Sequence, residues 1–167
     1  STLFPYTTLF RSVAADAAPT LKRAAVAIAL TEGDDGNGTA FLLTRRSARL
    51  RAHSAQWALP GGRCDAGETQ AEAALRELHE ELGLKLSERD VLGLLDDYPT
   101  RSGYLITPVV VWAGAHAALV PNPDEVASVH RIGLDAIELD DAFTFVTIPE
   151  SARRVIRFRL GGQHIHA

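Results

Sequence analysis

The chain has 167 residues, a formal net charge of -4 and 46% hydrophobic residues, which fits a single globular domain with its own core. The mild acidity gives no basis for general binding to nucleic acid or membranes, and no stretch approaches the roughly 20 apolar residues of a membrane span. Cys64 is the only cysteine, so an internal disulfide is excluded and a reducing, cytoplasmic setting is expected.

The first residues of the chain show no strand or helix period. We read residues 1–12 as a non-native leader of the kind that a sequencing-adapter oligonucleotide encodes, with a genuine disordered leader as the alternative. The sequence contains no methionine, so the native chain is expected to begin near Val13 or upstream of it. A single domain is expected over residues 20–167, with truncation at its C-terminus left open.

Two apolar runs separated by a turn open the domain. Residues 21–30 carry an apolar run and predict a strand, and residues 40–46 predict the strand that returns. Between them, residues 31–39 are rich in glycine, aspartate and asparagine, which is typical of a hairpin turn. Residues 47–57 are polar and basic and predict irregular structure. A short strand is then expected to end in a turn at Pro60, Gly61 and Gly62.

The strongest helix signal lies in the middle of the chain. Thr69 and Glu72 match the capping box that starts a helix, and Gly83 is placed to end it. Apolar residues recur between these points at helical spacing and predict one narrow stripe that packs on a sheet. The stripe consists of Ala71, Ala74, Leu75, Leu78 and Leu82.

The second half of the chain is richer in strands. Apolar runs predict strands over residues 91–98, 104–114, 126–132, 143–148 and 153–160, and a short helix over residues 133–139. One long helix and several strands that do not alternate regularly with helices predict an α/β fold. We therefore expect a mixed sheet with helices packed on it.

Three glutamates, Glu77, Glu80 and Glu81, share one face of the predicted helix, on the side opposite its apolar stripe. Like charges at this spacing repel by roughly 0.2–0.5 kcal/mol per pair. Carboxylate oxygens are the ligands that Mg²⁺ and Mn²⁺ prefer, and such a cation neutralises phosphate charge and lowers the pKa of bound water. The cluster therefore indicates a divalent metal site. A solvated acidic helix face is the alternative.

The glutamates belong to a longer pattern, Gly-x5-Glu-x7-Arg-Glu-aliphatic-x-Glu-Glu-x-Gly-aliphatic. The pattern resembles the Nudix box of the Nudix hydrolase superfamily at every fixed position. These positions are occupied by Gly62, Glu68, Arg76, Glu77, Glu80, Glu81 and Gly83, with Leu78 and Leu84 as the aliphatic residues.

The resemblance implies a fold, a cofactor and a partner. The expected fold is a mixed β-sheet sandwiched between α-helices (α/β/α). The expected cofactor is Mg²⁺ or Mn²⁺, and the expected partner is a small-molecule nucleotide diphosphate, with no nucleic acid or membrane and with a homodimer left open. The implied metal ligands are the three glutamates and the carbonyl of Gly61, while Gly62, Glu68 and Gly83 have structural roles.

The same resemblance implies roles for two further residues, Arg76 and Glu125. Arg76 is grouped with the catalytic glutamates. We favour a structural role, in which Arg76 holds the loop to the helix through Glu68, over a role in shaping the electrostatic field around Glu80. That role requires the loop before the helix to fold back. Glu125, just before a predicted strand, is implied as a metal ligand or as the base that activates water. An exposed loop glutamate is the alternative, and Asp124 is a weaker candidate.

Residues 42–62 resemble the signature of the coenzyme A diphosphatase branch, with Ala55 in place of a glycine and Leu59 in place of a phenylalanine. Arg46, Arg51 and His53 would be phosphate-binding donors, which suits coenzyme A because it carries a 3′-phosphate besides its diphosphate. Pairing with surface carboxylates is the alternative. The matching residues are Leu42, Leu43, Thr44, Arg46, Ser47, Arg51, His53, Pro60, Gly61 and Gly62.

Three functions stay open from the sequence. The first is metal-dependent hydrolysis of coenzyme A or a derivative. The second is the same chemistry on ADP-ribose, a dinucleotide or a modified nucleoside triphosphate. The third is a non-catalytic module that binds a nucleotide, which the presence of all the glutamates disfavours.

Overall fold

A computed structural model describes residues 21–51, 55–139, 142–147, 155–160 and 163–166. The expectations for residues 1–12 and for His53 lie outside the described residues. The strands are β1 (Lys22–Glu32), β2 (Thr39–Arg46), β3 (Trp57–Ala58), β4 (Gly61–Arg63), β5 (Val91–Leu94), β6 (Tyr98–Pro99), β7 (Tyr104–Trp112), β8 (Val126–Gly133), β9 (Phe143–Val146), β10 (Val155–Leu160) and β11 (Gln163–His166). The helices are α1 (Gln70–Leu82), a 3₁₀ turn (Glu88–Asp90) and α2 (Leu134–Ile137).

The main sheet has eight strands, and its central path runs β3-β2-β1-β7-β5. Strand β4 pairs with β1, β6 pairs with β7, and β8 pairs with β2. Strands β1 and β7 are parallel, from Lys22 opposite Tyr104 to Leu30 opposite Trp112, and the other pairs are antiparallel. The predicted mixed sheet is therefore confirmed. Strands β9, β10 and β11 form a separate antiparallel sheet.

The helix α1 forms where the sequence predicted it. The Thr69 hydroxyl accepts the backbone N–H of Glu72, and the Glu72 carboxylate accepts the N–H of Thr69, so the capping box is complete. At the other end, Gly83 adopts a left-handed φ of 69°, and its N–H donates to the carbonyl of His79. Between these caps, buried apolar residues pack α1 on the sheet; they are Ala73, Ala74, Leu78 and Leu82.

The two helices cover opposite faces of the sheet. Leu42 lies in the core cluster beneath α1, while its neighbour Leu43 lies in a second cluster that Ala136 and Ile137 of α2 complete. Adjacent residues of a strand point to opposite faces, so α1 and α2 pack on different sides. This arrangement is the expected sandwich. No helix in the described part of the chain has the length and apolar character needed to cross a bilayer.

The turn expected at Gly61 and Gly62 is wrong, because both residues lie in β4 and pair with Val26 and Ala25 of β1. A Cβ atom built on Gly61 would lie 2.7 Å from the Cα of Val26, closer than real Cβ atoms come. Glycine is thus required here for a close approach of two backbones rather than for a turn. Strand β11 was not predicted, and the run over residues 91–98 divides into β5 and β6.

Ala55 has a φ of 58°, which is the left-handed region that glycine adopts freely. This is the position where the coenzyme A diphosphatase signature has glycine. The alanine side chain makes that conformation unfavourable by roughly 1–2 kcal/mol.

We expect Ala55→Gly to raise the free energy of unfolding by about 0.5–1 kcal/mol, because the relief of backbone strain exceeds the added flexibility of the unfolded chain. Ala48 is an exposed alanine of the same connection without a positive φ, so Ala48→Gly is the matched control and should lower stability. Urea denaturation of both variants measures the difference. Equal destabilisation by the two substitutions would contradict the strain at Ala55.

Candidate active site

The acidic face of α1 is turned partly inward. Glu81 is only 5% exposed, and the Glu77 side chain is 13% exposed, whereas the Glu80 side chain is 50% exposed. The prediction that all three lie opposite the apolar stripe is therefore wrong for Glu77 and Glu81. Two helical turns span about 7.2 residues, so Glu81 lies almost directly below the buried Ala74, seven residues earlier.

Strand β4 forms the wall against which these carboxylates rest. The backbone N–H of Gly61 donates to Oε2 of Glu81 at 3.3 Å. A Cβ atom on Gly62 would lie 2.6 Å from the carboxyl carbon of Glu77, so only glycine leaves room for that side chain. We call the space between β4 and the side chains of Glu77, Glu80 and Glu81 the acidic groove. In an extended strand the N–H and C=O of one residue point to the same edge, so the carbonyl of Gly61 also faces this groove.

Arg76 joins the loop before α1 to the glutamates. Its Nε and Nη2 donate to the two carboxylate oxygens of Glu68, at 2.9 and 3.1 Å. Its Nη1 donates to Glu77 at 2.9 Å and to Glu80 at 3.2 Å, and Nη2 also donates to the carbonyl of Arg63 at 2.9 Å. The loop does fold back, and these contacts match the favoured role of Arg76. Its hydrogen bond holds the pKa of the Glu68 carboxyl below the usual range.

Glu125 approaches the same groove from the loop before β8. The N–H of Asn122 in this loop donates to the carbonyl of Glu81 at 2.9 Å, and the N–H of Ser47 donates to the carbonyl of Glu125 at 2.8 Å. The negative charge of Glu125 contributes to raising the pKa of both Glu77 and Glu81. The structure therefore places Glu125 within electrostatic range of Glu77 and Glu81.

The charge in the groove is incompletely compensated. Burial, followed by the negative charges of Glu77 and Glu125, raises the pKa of Glu81 to about 8, although the N–H of Gly61 and the charge of Arg46 oppose the shift. Burial likewise raises the pKa of Glu77, against the hydrogen bond from Arg76. A glutamate of the unfolded chain titrates near pH ~4.3, so the folded protein retains a proton at Glu81 that the unfolded chain releases. This contribution to stability is complete below that pH and is lost as the pH rises towards 8.

The residues of the groove fit a hard divalent cation in chemistry and in charge. Their side chains offer only carboxylate oxygens as ligand atoms, and Glu81 forms no ion pair with an Arg or Lys of the described residues. Within the described residues, no three Asp, Glu, His or Cys side chains converge closely enough to hold one ion as they stand. Arg76 draws Glu77 and Glu80 towards itself. Rotation of these side chains is therefore needed before they can share an ion.

The expected phosphate-binding residues separate in the structure. Arg46, at the end of β2, has a buried Nε atom without a hydrogen-bond partner, and its positive charge acts on Glu81. Arg51 is exposed and makes no hydrogen bond or ion pair with a described residue. His53 lies outside the described residues. Arg46 is thus the member of the trio that the structure places beside the acidic groove.

Other candidates have ordinary roles. Asp124 is exposed and lies 3.8 Å from Arg49 in a surface ion pair. Burial raises the pKa of the Cys64 thiol, which disfavours the reactive thiolate. Sequence reasoning missed Asn122, although two flanking prolines mark a constrained loop at this point.

Comparison with known proteins identifies a family that covers most of the chain. The family model of the NUDIX domain matches residues 21–153. The chain is 44% identical over 96 residues to "Uncharacterized Nudix hydrolase NudL" of Pectobacterium atrosepticum, covering 57% of this chain and 50% of that protein. It is 39% identical over 100 residues to "Nudix hydrolase 3" of Caenorhabditis elegans, covering 58% and 42%. The chain thus spans about half the length of the curated relatives it matches.

Solved structures agree on the fold. The Nudix hydrolase RenU of M. smegmatis superimposes with a TM-score of 0.55 at 27% identity, covering 70% of this chain and 73% of that one. A MutT/nudix family protein from Enterococcus faecalis has a TM-score of 0.59 at 18% identity, covering 87% and 51%.

We expect Arg76→Ala to lower the free energy of unfolding by about 2–4 kcal/mol, because it leaves the largely buried carboxylates of Glu68 and Glu77 without their cation. Arg49→Ala breaks an ion pair whose side chains are both exposed and should change stability by less than about 0.5 kcal/mol. Chemical denaturation at pH 7 compares the two variants. Similar small losses from both would show that Arg76 does not hold the loop on the helix.

Proposed function

The chain belongs to the NUDIX family, and on this premise we propose that it hydrolyses the phosphoanhydride bond of a nucleoside diphosphate linked to another moiety. Coenzyme A or a derivative is the proposed substrate. One observation carries the proposal: buried carboxylates of α1, joined by Glu125, lie against a glycine strand with too little positive charge beside them. A divalent cation would supply the missing positive charge and would in turn attract the negatively charged diphosphate of the substrate.

The proposed metal ligands are Glu77, Glu80, Glu81 and the carbonyl of Gly61. When bound, Mg²⁺ or Mn²⁺ would neutralise phosphate charge and increase the acidity of a bound water. Arg76 limits the positions that Glu77 and Glu80 can adopt, because it donates to both.

Glu125 is the proposed base. One of its carboxylate oxygens takes a proton from the water that attacks phosphorus, and the bond between phosphorus and the bridging oxygen breaks. The electron pair of that bond leaves with the second phosphate. Arg46 is the residue proposed to donate a hydrogen bond to a substrate phosphate. Its buried Nε has no hydrogen-bond partner, and a phosphate oxygen could accept its N–H.

The choice of coenzyme A rests on the signature over residues 42–62. The structure describes both positions at which this chain differs from the signature, Ala55 and Leu59. Ala55 adopts the left-handed backbone that suits the glycine of the signature, and Leu59 packs with the cluster around Leu43 and Ile132, where phenylalanine would stand. Cleavage of coenzyme A would give phosphopantetheine and adenosine 3′,5′-bisphosphate. ADP-ribose, dinucleotides and modified nucleoside triphosphates are the alternative substrates.

A substrate panel tests the proposal. The protein is incubated with coenzyme A, ADP-ribose and a dinucleotide in Mg²⁺, in Mn²⁺ or in EDTA, and the products are separated by chromatography. We expect turnover of coenzyme A that depends on metal. Glu80→Gln should lower kcat by at least about 100-fold without loss of fold, because a carboxylate ligand is removed. The exposed Glu88 provides the matched control, since Glu88→Gln should retain full activity.

The outcomes of the panel are distinct. Turnover of ADP-ribose alone would keep the chemistry and overturn the substrate. Nucleotide binding without hydrolysis would point to the non-catalytic module. Undiminished hydrolysis in EDTA, or by Glu80→Gln, would contradict the metal-dependent mechanism.

A further inference from the structure

We propose that Asn122 is a positioning residue that fixes Glu125 against the C-terminal turn of α1. The inference deepens the proposed function, on which it rests for the role of Glu125. Among the described residues, the side chain of Asn122 forms its hydrogen bond with the backbone of Asp124, so it acts on the course of the loop.

Four hydrogen bonds meet at Asn122. Its N–H donates to the carbonyl of Glu81 at 2.9 Å, which ties the loop to α1. Its carbonyl accepts the N–H of Glu125 at 3.1 Å and the N–H of Val126 at 2.8 Å. Its side-chain Oδ1 accepts the N–H of Asp124 at 3.1 Å. One residue therefore links the helix that carries Glu81 to the segment that carries Glu125.

The residues beside Asn122 make this link stiff. Pro121 and Pro123 have fixed φ angles, and a residue that precedes proline, as Asn122 does, is restricted to extended conformations. Pro123 has no N–H, so the N–H of Asp124 is the first backbone donor after Asn122 that its side chain can bind. An asparagine that accepts the N–H two residues later forms a closed turn, which sets the direction in which the chain continues to Glu125.

Glu125 is anchored from its other side as well. Ser47, which follows β2, donates its N–H to the carbonyl of Glu125 at 2.8 Å. Val126, the next residue, is buried and begins β8. The backbone of Glu125 is thus held between the turn at Asn122 and the end of β2, and the Asn122 side chain contributes the hydrogen bond to Asp124 that closes this turn.

The side chain of Asn122 is separable from the capping of α1. Gly83 already donates to the carbonyls of His79 and Leu78, and the bond from Asn122 to Glu81 uses the backbone N–H, which any residue but proline retains. Replacing the side chain should therefore disturb the loop and leave the helix end intact.

Amide hydrogen exchange and kinetics test the proposal in Asn122→Ala, Asn122→Ser and a control. Serine keeps an acceptor oxygen without adding charge. The control is Asp35→Ala, because Asp35 accepts the N–H of Asn37 at 3.0 Å in the same kind of turn, within the β1–β2 hairpin. We expect the amides of Glu125 and Val126 to exchange about 10-fold faster in Asn122→Ala, with partial recovery in Asn122→Ser and no change at Leu78.

Kinetics should show the same dependence. In Asn122→Ala we expect kcat to fall about 10–100-fold with KM within about twofold, the scale typical of lost support for a site residue. In a Glu125→Gln background the same substitution should have almost no further effect, because both changes act through one side chain.

Each outcome decides the proposal. Unchanged exchange at Glu125 and Val126 in Asn122→Ala, as in the Asp35→Ala control, would overturn it whatever the substrate panel shows. Full additivity with Glu125→Gln would also overturn it. Faster exchange in a protein that hydrolyses no substrate would support the positioning role and refute the proposed function, so the two failures are distinguishable. If Asn122→Ala does not fold, Asn122→Ser decides between the same outcomes.

Discussion

The packing of two carboxylates of α1 against the two glycines of β4 is the constraint on which the site depends. Glu77 fits only because Gly62 has no Cβ, and Glu81 reaches the backbone N–H of Gly61. Arg76 compensates Glu77 but not Glu81, whose pKa is raised to about 8. The groove therefore retains a proton at Glu81 that a bound divalent cation would displace.

The rest of the fold holds α1 in the position that this contact requires. Ala25, Ala27 and Ala29 of β1 are fully buried beneath α1, and their small side chains allow the helix to lie close to the sheet. The capping box and the glycine cap fix both ends of α1, which sets the rotation of its acidic face. The ion pair between Arg76 and Glu68 then closes the loop that joins β4 to the helix. These contacts stabilise the fold and so offset the cost of burying the carboxyl groups of the groove.

Much of this was predictable from sequence. Capping, the end of α1 at Gly83 and the hairpin after β1 depend on residues close together in the chain, and all three are confirmed. The turn at Gly61 and Gly62 was wrong because glycine marks both turns and close backbone approaches, and only the partner strand distinguishes them. The inward side of Glu81 follows from helical geometry but runs against the rule that acids face water.

Long-range contacts set the limit of prediction. The position of Glu125 came from family resemblance, since nothing local in the sequence relates it to α1. The contact of Asn122 with α1 was missed for the same reason, because its bond to the carbonyl of Glu81 joins segments separated by β5, β6 and β7. The fold and the acidic helix could thus be predicted, while the assembly of the groove from distant segments required coordinates.

Calorimetric titration of the nucleotide-free protein with Mn²⁺ at pH 7, in two buffers of different ionisation enthalpy, tests the central claim most directly. We expect saturable binding with release of protons, because a carboxyl with a pKa of about 8 must lose its proton to coordinate metal. Glu81→Gln should weaken the binding at least about 10-fold and reduce the proton release. Absence of saturable binding, or binding without proton release, would contradict the presence of an uncompensated acidic groove built to hold a cation.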